Sequence, residues 1–177
     1  GDGKVQSLAV LYAQQAQTVA LAAGQPAERL LWDMDDERIW VKAVMRHAQI
    51  FAEKLLMTRT ITCSKKTNEI TITDEIENIG GEASPVMILY HMNMGYPMLS
   101  EAAELYIPAA GVTPRNAHAA EDLDTWNKVI SPTPGFEEQC YYHVFQDKPG
   151  LAAIFNHDRG YGLAISFDSS SLNCFVE

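Results

Sequence analysis

In "TNEITITDEIEN" (Thr67 to Asn78), Ile70, Ile72 and Ile76 fall on one side of an extended chain, and Glu69, Thr71, Thr73, Glu75 and Glu77 fall on the other. Side chains of a strand alternate between two faces, so this spacing predicts a β-strand with one side buried and one wetted. Just upstream, "EKLLMTRTITC" (Glu53 to Cys63) sets Leu56, Thr58, Thr60 and Thr62 against Leu55, Met57, Arg59, Ile61 and Cys63. The period of two and the β-branched content predict a second strand. The "SKKT" between them is short enough for a hairpin loop, and "IGGEASP" (Ile79 to Pro85) reverses the chain before "VMILYHMNM" (Val86 to Met94), a further expected strand.

The same reading extends outward. "AELYIP" (Ala103 to Pro108), "EEQCYYHVF" (Glu137 to Phe145), "LAAIFNH" (Leu151 to His157), "LAISFD" (Leu163 to Asp168) and "LNCFVE" (Leu172 to Glu177) are strand-length, with Gly, Pro, Asn, Asp and Ser between them. "AGQPAERLLWDMDDER" (Ala23 to Arg38) has the Gly, Pro and acidic content of a loop, and residues 116–130 have the composition of a short helix within a longer loop. Residues 5–23 mix Val, Leu, Ala and Gln without a clean period and suit a helix or two short strands equally. Many short strands without βαβ alternation predict an all-β, antiparallel sandwich or barrel. A chain of 177 residues is expected to form one domain over 1–177. Because "NCFVE" reads as a strand, that domain is expected to be truncated at one or both ends.

Charge narrows the partners. Thirteen basic residues against twenty-three acidic ones give a formal charge of -10, which repels phosphate backbones and anionic lipid heads, and Lys65-Lys66 is the longest basic run. Neither nucleic acid nor a membrane is an expected partner. Cys63, Cys140 and Cys174 have no CxxC spacing and are odd in number, so neither a metal site nor a disulfide framework is expected, and each is read as filling a core gap. No secretory leader and no bilayer-length apolar run is apparent, which predicts a cytoplasmic protein.

The stretch "YHMNMGYP" (Tyr90 to Pro97) poses the functional question. As a strand it would put His91 and Asn93 on one face with Met87 and Leu89, and Tyr90, Met92 and Met94 on the other. Buried polar side chains are usually satisfied by structural partners, so His91 can be a core histidine. Two polar groups on one face, followed by Gly95 and Pro97, shift the balance toward presentation to a ligand, although the stretch taken alone still favours the core histidine.

At length, "YHMNMGYPMLSEAAELYIPAAGVTPRNAHAAEDLDTW" followed by "PGFEEQCYYH" resembles the aldose 1-epimerase-related proteins of the galactose mutarotase-like superfamily, in the bacterial branch with a YHxNxGxP strand, a PRN turn and a later E-Q-x-Y strand. The similarity covers most of residues 47–177. It implies an antiparallel β-supersandwich with a sugar-sized cleft, present here as an incomplete copy. It also implies interconversion of sugar anomers by a histidine acid and a glutamate base, with a small-molecule sugar as partner and no cofactor or metal. Proton transfer of this kind suits imidazole, whose ordinary pKa lies near neutrality.

Carried over residue by residue, the resemblance makes His91 the general acid, with Asn93 as orienting group. Arg115 and Asn116 match the PRN turn, and Glu138 matches the later strand motif better than Glu137. Tyr96 is a candidate to stack on a sugar face and is preferred to Trp126. The competing readings are a loop arginine paired with Glu121 or Asp122, a surface ion pair for Glu138, and core packing for the aromatics. His118, His143 and His157 are read as structural. Two departures stand out. Asp2 occupies the place of a family histidine, and the late glutamate can only be Glu177, the last residue, where a frayed end would hold a base poorly. The base is then Glu177 or lies beyond the chain end, and the alternative is a carbohydrate-binding β-sandwich without catalysis. Unpaired sheet edges would favour a homodimer.

Overall fold

In the computed structural model, residues 27–146 and 149–177 are described; the readings of Asp2 and of residues 5–23 lie outside them. The chain divides into two compact units, residues 1–89 and 90–177. Each follows from how extended segments find hydrogen-bonding neighbours. Among the described residues, no helix is long and apolar enough to cross a membrane.

The first unit contains a four-stranded antiparallel sheet in sequential order: β1 (Arg29–Met34), β2 (Arg38–Ala48), β3 (Lys54–Ser64) and β4 (Ile70–Asn78). β1 corrects the reading of residues 23–38 as loop, since Arg29 to Met34 pair residue by residue with Val44 to Ile39. The acidic cluster forms only the reversal, in which Asp35 Oδ1 accepts from the backbone N–H groups of Glu37 (2.8 Å) and Arg38 (2.9 Å). This is an Asp side chain standing in for a backbone turn bond. The β3–β4 loop works similarly, with Ser64 Oγ accepting from the N–H groups of Lys66 and Thr67.

Cross-strand register puts Ile39, Val41, Ala43, Ile61 and Cys63 on one face, and all five are buried. On β4 the alternation misleads. Ile70 and Ile72 are each 42% exposed and Ile76 is 37% exposed, although they share that face. Among the described residues β4 is an edge strand of its sheet, with neighbours flanking its isoleucines on one side only. The apolar rows are interrupted by Arg59 and Asp74, directly paired across β3 and β4 and joined by two hydrogen bonds of 2.8 and 2.7 Å. The Asp74 side chain is only 4% exposed, and a bidentate Arg is the partner that suits a carboxylate so placed.

The expected strand over 86–94 joins no ladder among the described residues, and Met87 and Leu89 are 94% and 81% exposed. Apolar content and alternation give a segment the propensity to extend, but a strand exists only where a neighbour takes its N–H and C=O groups.

The second unit has two three-stranded antiparallel sheets. One has the order β5 (Ala103–Tyr106), β8 (Gly150–Asn156), β9 (Tyr161–Phe167); the other has β10 (Phe175–Val176), β7 (Tyr141–Val144), β6 (Gly111–Pro114). Of the expected strands, Ala103–Pro108, Glu137–Phe145 and Leu172–Glu177 are recovered with shorter bounds (four, four and two residues), Leu151–His157 is shifted by one residue, and Leu163–Asp168 begins two residues earlier; β6 is not among the expected strands. The helix-like segment forms a five-residue helix, α1 (Ala117–Glu121), and a 3-10 turn at Leu123–Thr125. An aromatic trio joins the sheets: Phe167 of β9 stacks on Phe175 of β10 at 5.6 Å, and Phe145 meets both edge-on at 5.4 and 6.0 Å. Gly162 lets β8 and β9 approach, since a Cβ there would lie 2.2 Å from the Ile154 carbonyl oxygen.

Asn156, at the end of β8, is fully buried. Its Nδ2 donates to the carbonyls of Pro97 (3.2 Å) and Met98 (3.0 Å) and to Ser100 Oγ (2.8 Å), while its Oδ1 accepts from Arg159 N–H (3.0 Å). One amide thus fixes the turn that follows "YHMNMGYP" to the β8 end. Asn156→Ala and Asn156→Asp are each expected to lower the unfolding free energy by about 2–3 kcal/mol, because both remove the fully buried Nδ2 donor that the Pro97 and Met98 carbonyls and Ser100 Oγ share. Urea titration checks this; a loss below roughly 0.5 kcal/mol in both variants would deny the anchor.

Candidate functional site

The candidate residues from the sequence all fall in the second unit, but they do not form one constellation. His91 and Asn93 are exposed and lie outside the sheets, and Tyr96 is 79% exposed, so it is not packed in the core. No hydrogen bond or ion pair joins His91 to Glu177 among the described residues. Arg115 and Glu138 are brought together, Nη2 to Oε1 at 2.8 Å. Their meeting follows from the backbone, where Arg115 N–H donates to the Cys140 carbonyl at 2.9 Å. The arginine's partner is therefore Glu138 rather than Glu121 or Asp122.

Asn116 is the N-cap of α1, its Oδ1 accepting from Ala119 N–H at 2.9 Å, an ordinary structural duty for Asn at this position. Gln139 Nε2 donates to Asp122 Oδ2 (2.7 Å) and to the His118 carbonyl (3.2 Å), which ties the helical loop to the approach of β7. His118 has its Nε2 3.2 Å from the Glu137 carbonyl, and His157 lies 3.5 Å from Glu104.

Glu177 is placed differently from a frayed terminus. Its backbone exchanges two hydrogen bonds with Tyr141, N–H to carbonyl at 3.2 Å and carbonyl to N–H at 3.0 Å, which extends the β7–β10 ladder by one residue. That register puts the Glu177 side chain on the face shared by Tyr141 and His143, and it is only 15% exposed. Glu177 Oε1 lies 4.0 Å from His143 Nε2. The imidazole has no exposed side-chain surface, and it is held edge-on by Trp126 at 4.8 Å and by Phe175 at 5.7 Å. Tyr141 Oη and both His143 ring nitrogens are buried without hydrogen-bond partners among the described residues.

Burial dominates the electrostatics here. It pushes the Glu177 carboxyl up from 4.5 to about 7 and the His143 imidazole down from 6.5 to about 4, each toward its uncharged form. Burial likewise raises the Tyr141 hydroxyl, with smaller contributions from the negative charges of Asp122 and Glu177. A carboxyl poised near neutrality can both accept and return a proton. His143 was read as a structural histidine, and the signal that could have marked it is the alternation that sets Tyr141 and His143 on one face opposite the last strand. Among the described residues no group of three or more His, Cys, Asp or Glu could hold a metal ion. Cys63 is buried, Cys140 is half-buried and Cys174 is exposed, so Cys174 does not fill a core gap.

A family model described as "Domain of unknown function (DUF4432)" matches residues 19–177. No curated protein matches the chain. A crystal structure from Klebsiella pneumoniae subsp. pneumoniae MGH 78578, described as a "putative aldose 1-epimerase", superimposes with a TM-score of 0.80 at 24% identity over 88% of this chain. The chain spans 42% of that protein's length. The antiparallel all-β fold expected from the sequence is thus shared with that structure.

The opposed shifts of Glu177 and His143 give a specific stability profile. Between about 4.5 and 7, Glu177 holds a proton when folded and loses it when unfolded, so its contribution falls as pH rises. Between about 4 and 6.5, His143 is neutral when folded and protonated when unfolded, so its contribution rises with pH. Each slope is at most about 1.4 kcal/mol per pH unit, and from 4.5 to 6.5 they offset one another. Unfolding of Glu177→Gln should therefore show stability climbing through that window relative to wild type, and His143→Gln should show it declining. Parallel profiles for all three proteins would mean that neither group is perturbed.

Proposed function

The chain belongs to the DUF4432 family, and we propose that this member is a carbohydrate-active isomerase of the aldose 1-epimerase kind, acting in the cytoplasm on a small-molecule sugar without a cofactor. The observation that carries this reading is the buried Glu177 carboxyl, poised at about 7 within a fold shared with an aldose 1-epimerase-type structure. A base of that strength suits removal of the anomeric hydroxyl proton, since general bases work best when their pKa is near the operating pH.

In this reading His91 protonates the ring oxygen as Glu177 takes the anomeric proton. The bond from C1 to the ring oxygen breaks, the aldehyde rotates about its bond to C2, and ring closure on the opposite face returns both protons. Asn93 orients His91, and Arg115, Asn116 and Glu138 supply polar contacts to the sugar, with Tyr96 stacking on its apolar face. The exposure of His91, which no ion pair or hydrogen bond joins to Glu177 among the described residues, favours a second reading, a carbohydrate-binding β-sandwich that binds without turnover.

Exchange between α and β anomers of a panel of aldoses, followed by NMR, separates the two. The isomerase reading expects acceleration by wild type and a loss of roughly 10²–10⁴-fold in both His91→Ala and Glu177→Gln. Binding without acceleration for any sugar would establish the second reading. Wild-type rates in His91→Ala would remove that residue from the chemistry.

A further inference from the structure

Glu177 is not the only unusual group on its face. His143 is buried more completely, has no hydrogen-bond partner on either ring nitrogen among the described residues, and has a carboxyl oxygen 4.0 Å from Nε2. Its ring cannot turn away readily, because Trp126 and Phe175 pack against it edge-on. The pairing Phe175–His143–Val112 across three strands fixes the backbone beneath it. A neutral imidazole has one N–H to donate and one nitrogen to accept, and leaving a buried donor unmade is costly.

We propose that His143 is a positioning residue for Glu177, its caged imidazole donating Nε2–H to the carboxylate and so aiming the second carboxylate oxygen at bound sugar. The proposal rests on the reading of Glu177 as the base. At 4.0 Å the two groups stand beyond hydrogen-bond distance. Ionisation of the carboxyl creates the need for a donor, and the charge-assisted bond then closes to about 2.8 Å. The contact would therefore tighten when the base becomes competent. Donation from Nε2 leaves Nδ1 as acceptor and keeps the imidazole uncharged, consistent with its apolar cage. The other titratable groups that bear on the pair are Tyr141, opposite Glu177 in the ladder, and Asp122, whose charge acts on Tyr141.

The test is a ¹³C NMR titration of the Glu177 side-chain carboxyl, assigned by its loss in Glu177→Gln, in wild type, His143→Phe and His143→Gln. Phenylalanine keeps the ring and the burial but removes the donor, so the carboxyl should titrate higher than in wild type by about one pH unit. Glutamine restores a donor and should bring it back to within about half a unit of wild type. The alkaline shift should reappear in the pH profile of anomer exchange, which loss of packing alone would not move. Coincident titrations of wild type and His143→Phe would overturn the proposal, as would an ordinary carboxylate value for Glu177 in wild type. If the titrations shift as expected but no sugar is turned over, the contact between His143 and Glu177 is upheld and the isomerase reading is what falls.

Discussion

Two backbone hydrogen bonds between Tyr141 and Glu177 decide where the last side chain of the second unit lies. They carry the β7–β10 ladder to Glu177 and set the side-chain alternation there. A slip of one residue would turn the carboxyl to the opposite face, away from His143. The stacked rings of Phe167 and Phe175 and the edge-on Phe145 tie this short ladder to the other sheet, so a two-residue strand is held by side-chain packing that its few backbone bonds could not supply.

That register has an electrostatic result. An acid and a base 4.0 Å apart would exchange a proton and attract each other as ions in water, yet burial drives both toward neutrality. The ordinary order of the two groups is inverted, with the carboxyl retaining its proton to higher pH than the imidazole. A proton added to this pair near neutrality resides on the acid side chain, a different balance from an exposed His–Glu ion pair.

The legible parts of the sequence were those decided by local alternation. β3 and β4 were bounded to within a few residues because a two-residue period survives in "EKLLMTRTITC" and "TNEITITDEIEN". What could not be read locally depended on partners. β1 was hidden by the acidic residues that form its turn, and Val86–Met94 has a strand's composition but no ladder among the described residues. Exposure of the β4 isoleucines reflects their edge position, which alternation does not encode. At the site, motif matching pointed to Arg115 and Glu138, which do meet, but it passed over His143 and Asn156. Their importance lies in burial and in bonds to residues distant in sequence. Asn116 shows the converse, since a residue matched to a motif is also the cap that α1 requires.

The Asn156 amide also bears on dynamics. A surface turn such as Pro97–Ser100 would ordinarily open with a small free-energy cost, independently of the sheets. Here opening would strand a fully buried amide at the end of a central strand, so the turn is tied to the cooperative unit that contains β8. The backbone immediately after the His91 segment therefore inherits the opening free energy of a core strand.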